Sequence, residues 1–306
     1  MTTHDVESGG RHVDIGDTRL YVVERGEGYP LLVFHGGPGL DHHMFGGYLD
    51  ALTDDYRLVL VDQRSNGRSD RTPEETWTLE QMAADISSLA RALDLEQYAT
   101  LGHSYGAFVV LQHAVDFPGD AAQTIVSSGI PSARFLGQIA QNLAAFEPVE
   151  LREQVTSSWD REKSVRTQEE VVELLHDQWP FQFADSHDPR IEEYEQRTAG
   201  AIYSTDVLRH FASEEYGGIE VETRLGDITQ QVLVLAGRHD RTCSVEAAQS
   251  IAEGVRQGEL VVFESSGHMT FVEENDAYVN AVRNFLQRHA DRIRNADRAL
   301  LWKGPA

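Results

Sequence analysis

A serine hydroxyl attacks a carbonyl only when a base takes its proton and a carboxylate orients that base. The sequence offers candidates for all three roles. Residues 102–106 read Gly-His-Ser-Tyr-Gly, the G-x-S-x-G pattern, which puts Ser104 forward as nucleophile. Gly102 and Gly106 have no Cβ, so a sharp turn can lift the serine out of the backbone. Asp240 follows the run Gln231–Ala236 through Gly237-Arg238-His239. His268 follows Leu260–Phe263 through Glu264-Ser265-Ser266-Gly267. Ser, then Asp, then His is the chain order that goes with an elbow serine on a parallel sheet. His268 is thus the expected general base and Asp240 its orienting acid. His239 is a rival base, but it adjoins Asp240 on a tight turn. His103 lies inside the elbow and is expected to pack beneath it. Asp62 is a rival acid on an earlier strand.

Acyl transfer also needs N–H donors for the developing oxyanion. The residue after the nucleophile supplies one, the amide of Tyr105. The loop His35-Gly36-Gly37-Pro38-Gly39 follows an apolar run and can approach a ligand closely, so Gly37 N–H is the expected second donor. Gly36, Trp179, Glu214 and Glu215 are further candidates for touching substrate. No Cys/His cluster or H-E-x-x-H pattern suggests zinc, and His42-His43 read as loop histidines. No G-x-x-x-x-G-K-[ST] suggests ATP, so neither metal nor cofactor is expected. Cys243 reads as a small packing residue.

These residues need a scaffold. Leu31–Phe34, Leu58–Val61, Tyr98–Leu101, Thr124–Val126, Gln231–Ala236 and Leu260–Phe263 are short apolar runs, as strands buried on both faces should be. His12–Ile15 and Arg19–Val23 flank Gly16-Asp17 as a hairpin. Residues 41–52 are expected to be helical. Residues 78–94 carry the strongest helical period, with a capping box from Thr78 and Gln81. A helix is expected near Val245–Val255, and a long one from Asp276 to Arg292. Alternation of strand and helix implies an α/β fold with a mostly parallel central sheet flanked by helices. The rhythm stops at Pro131 and resumes after Leu225. The stretch between is acidic, aromatic and helical in pattern. The expected division is therefore a core domain of residues 1–130 and 226–306 with a helical cap of residues 131–225.

With 306 residues, the chain can bury a large core. Its 26 basic against 50 acidic residues give a net charge of −24, which argues against nucleic acid and anionic membranes as partners. Genome composition, or an acidic surface that keeps the protein soluble in salt, is the plain reading of that charge, and steering of cationic substrates is the functional one. No run of 18 apolar residues suggests a membrane span, and the first ten residues lack the basic start and apolar stretch of a signal peptide. One cysteine excludes an internal disulfide and fits a cytoplasmic location. The expected partner is a small-molecule or short-peptide substrate.

At these residues the chain resembles the α/β-hydrolase superfamily, and more narrowly the prolyl aminopeptidase (proline iminopeptidase) family of serine peptidases. The matching segments are His35-Gly-Gly-Pro-Gly39, Asp62-Gln63-Arg64-Ser65-Asn66-Gly67-Arg68-Ser69, the elbow, Gly237-Arg238-His239-Asp240 and Gly267-His268. The resemblance implies a cofactor-free enzyme that forms an acyl-enzyme and releases an N-terminal residue, often proline, from small peptides. Relatives with nearly the same motifs cleave esters, lactones or other amides, so a carboxylesterase or lactonase is the alternative. Two departures stand out. Ser65 replaces a glycine of the family pattern. Arg241 stands where some relatives carry a glutamate that holds the substrate ammonium. Cap carboxylates, among them Glu192, Glu193, Glu195, Glu214 and Glu215, are the remaining candidates for that task.

Overall fold

A computed structural model describes residues 9–301, with side chains to residue 288. Eight strands form one sheet in the order β1-β2-β4-β3-β5-β6-β7-β8. These are β1 (Gly10–Asp14), β2 (Arg19–Arg25), β3 (Tyr29–Phe34), β4 (Tyr56–Asp62), β5 (Ala99–His103), β6 (Gln123–Ser127), β7 (Gln231–Gly237) and β8 (Gly258–Phe263). β1–β2 and β2–β4 pair antiparallel, and every other pair is parallel. The expected hairpin forms, with Asp14 opposite Arg19.

The apolar runs are buried on both faces because successive side chains alternate. Leu32 and Phe34 of β3 point into one core, with α1 (Leu79–Ala92), α2 (Tyr105–Asp116) and part of α8 (Val245–Gly254). Leu31 and Val33 point into the other, where Tyr278, Val282 and Phe285 of α10 (Asn275–Leu301) cover them. A short α9 (Thr270–Glu273) precedes α10. At α1 the Thr78 hydroxyl accepts from Gln81 N–H, but the Gln81 side chain turns to Asp85 Oδ1 at 3.1 Å. Half of the expected capping box therefore forms.

Residues 41–52 do not make one helix. They form two 3₁₀ turns, His42–Phe45 and Asp50–Asp54. Gly46 and Gly47 lie between them at φ 50° and 78°, a left-handed conformation that ends a right-handed turn.

Between β6 and β7 the chain is helical: α3 (Gly137–Ala144), α4 (Val149–Arg161), α5 (Gln168–Gln182), α6 (Arg190–Thr198), α7 (Thr205–Ser213) and short 3₁₀ turns. An isolated bridge, Ser132 with Glu220, closes the base of this segment. The segment is tied over the carboxyl ends of the strands. Ser204 N–H donates to Gly39 O at 2.7 Å, Ile202 N–H to an Asp41 carboxylate oxygen at 2.8 Å and the Tyr194 hydroxyl to Met44 O at 2.9 Å. No helix among the described residues is long and apolar enough to cross a membrane.

Candidate active site

Ser104 sits between β5 and α2 at φ 54°, ψ −119°. A non-glycine residue held at positive φ is strained, and strain of this kind gathers at functional sites. The two glycines make the turn feasible. A Cβ on Gly102 would lie 2.0 Å from Gly106 O, and one on Gly106 would lie 2.3 Å from Phe34 O. No side chain fits at either position.

His268 and Asp240 meet at the far side of the same sheet edge. His268 Nδ1 lies 2.8 Å from Asp240 Oδ2 and 2.8 Å from Thr242 Oγ1. Asp240 Oδ1 accepts from the N–H groups of Thr242 and Cys243 and from the Thr242 hydroxyl, all at 2.8 Å. Burial pushes this carboxyl up, but the facing imidazole and the two N–H donors outweigh it and hold Asp240 below the usual carboxylate range. An ionised acid therefore backs the imidazole and fixes its orientation. His103 lies beneath, its ring 5.0 Å from that of His268. Burial holds His103 well below its ordinary value, so it puts no positive charge there. His239 is exposed. Asp62 is bound to His42 Nδ1 at 2.6 Å and to two backbone N–H groups of the neighbouring loops.

Ser104 and His268 line one cavity of about 110 Å³, roofed by the helical segment. Gly37 and Tyr105 line it too. Tyr105 opens α2, where N–H groups have no partner within the helix. Gly37 turns at φ 56°. Gly36 is placed otherwise than its candidacy implied. It is off the cavity wall, its N–H points to Met44 Sδ at 2.9 Å, and a Cβ there would meet Ser104 Cβ at 2.9 Å. Its role is to let the loop close on the elbow.

Trp179 lines the cavity, edge-on to Tyr194 at 5.0 Å. Glu214 and Glu215 are exposed and off the wall. Tyr216, at φ 53°, turns inward in their place. The carboxylate on the wall is one that sequence reasoning missed, Glu162 at the end of α4. Glu162 Oε1 accepts from Gln178 Nε2 at 2.7 Å and Oε2 from the Tyr216 hydroxyl. Burial raises its carboxyl above the usual range, only partly offset by those two donors. A signal was available: Val155, Ser158 and Glu162 follow one another at helical spacing on the buried face of α4. Cys243 packs in the core, as expected of a small buried residue, and also lines the cavity.

Arg241 has a different task from the glutamate it replaces. Its guanidinium donates to Phe181 O, Phe183 O and Ala184 O at 3.1, 2.6 and 3.1 Å, fastening the end of α5 to the sheet edge. Among the described residues, two groups bring ligand-type atoms within 4.8 Å, Asp41-His42-His43 and Asp240-Cys243-His268. In both, the carboxylates already hold the histidines by hydrogen bonds. His42 and His43 are thus buried partners of Asp62 and Asp41, with rings 4.3 Å apart, and not open-loop residues.

The family model described as alpha/beta hydrolase fold matches residues 29–275. The chain belongs to this family. It is a hydrolase built on that fold, and among curated relatives it resembles proline iminopeptidases. One from Pestalotiopsis fici is 27% identical over 90% of this chain and 99% of its own. Another from Lactobacillus crispatus is 29% identical over 88% and 93%. Among solved structures, an α/β-fold hydrolase from Bacillus anthracis superposes with a TM-score of 0.76 at 21% identity, covering 90% of this chain and 98% of that one. An esterase from Exiguobacterium antarcticum superposes at 0.71 and 22% identity, covering 91% and 99%. At such identities the structures establish the fold and leave the substrate open.

Proposed function

We propose that this hydrolase works through an acyl-enzyme on Ser104 and releases an N-terminal residue from small peptides or amides, in the manner of a prolyl aminopeptidase. The observation that carries the reading is the cavity itself. A strained serine and an acid-backed imidazole share it, and its wall is apolar except for a few groups that include one carboxylate. Ser104 Oγ attacks the carbonyl as His268 takes its proton. Asp240 stabilises the imidazolium. The amides of Gly37 and Tyr105 hold the oxyanion. His268 returns the proton to the leaving nitrogen, and water then opens the ester. Glu162 faces the substrate's ammonium, and the helices of residues 131–225 act as the cap that limits substrate size.

A second reading, a carboxylesterase, has one observation in its favour. Both oxygens of Glu162 are already hydrogen-bonded and the carboxyl is shifted toward its neutral form, which weakens it as an ammonium anchor. Proline p-nitroanilide, its N-acetyl form and p-nitrophenyl acetate separate the two. The aminopeptidase loses the acetylated anilide because its ammonium is gone. Equal rates on free and acetylated anilide assign the esterase. Ser104→Ala is expected to lower kcat by about 10⁴- to 10⁶-fold on every substrate. Turnover close to wild type would sink both readings.

A further inference from the structure

Most polar groups on the cavity wall are already committed. Thr242 serves Asp240 and His268, and Tyr216 and Gln178 serve Glu162. Trp159 Nε1 and the Gln182 side-chain oxygen are exceptions, each buried without a partner, and of these two residues Gln182 is the one whose backbone bonds His268. Gln182 is the last residue of α5, only 9% exposed, and it lines the cavity. Its side-chain oxygen is fully buried and has no hydrogen-bond partner. A buried acceptor left unpaired is costly, so a donor from a ligand is the natural complement.

The backbone fixes where this acceptor stands. Gln182 O accepts His268 N–H at 2.7 Å. The approach is so close that a Cβ on Gly267 would lie 2.6 Å from the same oxygen. Arg241 fastens the residues on either side, Phe181 and Phe183, by their carbonyls. The backbone of Gln182 is thus held next to His268, and both residues line the cavity in which the leaving atom must be protonated.

We propose that Gln182 Oε1 accepts the N–H of the scissile amide and so sets this enzyme's preference for amides over esters. The inference rests on the acyl-enzyme reading above. In the tetrahedral intermediate the Ser104 Oγ–C bond has formed. The C–N bond breaks only when the nitrogen lone pair faces His268 and takes its proton. The nitrogen's own hydrogen must then point elsewhere, and Gln182 Oε1 receives it. An amine leaves, and the acyl-enzyme remains. An ester's leaving oxygen carries no hydrogen and gains nothing from this acceptor.

The test compares substrates with one acyl group and two leaving atoms: proline p-nitroanilide against proline benzyl ester, in wild type and Gln182→Met. The variant keeps the side-chain length and removes the acceptor. The anilide kcat is expected to fall about 10- to 100-fold, with the benzyl ester kcat changed less than threefold, so ester turnover also reports an intact fold. Equal losses on both substrates, or no loss on the anilide, overturn the proposal. If Gln182→Met does not fold, Gln182→Leu is read in its place. If wild type cleaves no prolyl substrate, the aminopeptidase reading has failed by itself. The Gln182 assignment is then judged by p-nitroacetanilide against p-nitrophenyl acetate with the same two outcomes.

Discussion

At the residue scale, the cavity turns on one carboxyl whose charge is in contest. Glu162 is buried and raised above the ordinary carboxylate range, while the substrate assigned to it is a cation. Binding an ammonium favours the ionised form, so substrate and proton compete for the same group. For an amine substrate, kcat/KM should climb with pH as Glu162 ionises, at a pH above that at which an ordinary carboxylate ionises. Glu162→Gln keeps the shape and a single acceptor but cannot ionise. It is expected to lower kcat/KM on proline p-nitroanilide by about 10- to 100-fold, mainly through KM, with p-nitrophenyl acetate hydrolysis affected less than threefold. Steady-state rates from pH 5 to 8 check this. An unchanged KM for the anilide would remove Glu162 from substrate binding. The residue was hidden in the sequence by its company, since the helical segment is rich in acids that face water. Ser104, Asp240 and His268 were legible because chain order and flanking glycines constrain them. Glu162 and Gln182 have no such motif, and only the packing of α4 and α5 over the sheet singles them out.

At the scale of elements, the joint between α5 and the loop carrying His268 depends on Glu273 of α9. Its carboxylate accepts Ala184 N–H and Gly267 N–H, each at 2.8 Å, so it ties the helical segment to the His268 loop. Burial nevertheless pushes its carboxyl up to about 7, with the two N–H donors and Arg190 only partly offsetting that cost. The folded protein therefore holds this proton more tightly than the unfolded chain. The stability that goes with it is complete below pH 4.5 and is lost as pH rises through about 7. Replacing it with Gln removes that titration. Between pH 4 and 8 the stability of Glu273→Gln relative to wild type should improve by up to about 3 kcal/mol, read from urea midpoints across the range. A difference independent of pH would mean the carboxyl titrates normally. The elements themselves were mostly legible, for a physical reason. Strands buried on both faces must be apolar throughout, and α1 must show its helical period against the core. Residues 41–52 were not, because their apolar spacing suits a helix while two left-handed glycines interrupt it. The expected division into core and cap stays a proposal about how two parts work, although the elements between β6 and β7 are helices and 3₁₀ turns apart from the Ser132–Glu220 bridge.

At the scale of the whole molecule, charge rather than packing is the unusual term. The excess of 24 negative charges repels itself across the surface. Opposing this are arginine–carboxylate pairs such as Arg19–Asp70 at 2.7 Å and Arg238–Glu264 at 2.7 Å, both largely exposed. Added salt weakens both effects, so the net sign depends on which is larger. Exposed pairs contribute about 0–1 kcal/mol each, and many contribute nothing measurable. Among the described residues most arginines are already paired with carboxylates, so the unmatched acids outnumber what the pairs can cancel. Repulsion should therefore dominate, and its screening should stabilise the fold. The Debye length falls from about 30 Å at 0.01 M to about 10 Å at 0.1 M and 3 Å at 1 M. Most of the gain should thus arrive below about 0.5 M. The melting temperature is expected to rise by several degrees between 10 mM and 0.5 M sodium chloride and then level off. A temperature that falls over that range would show that the ion pairs outweigh the repulsion. A continuous rise beyond 1 M would point to surface exclusion of salt in place of charge screening.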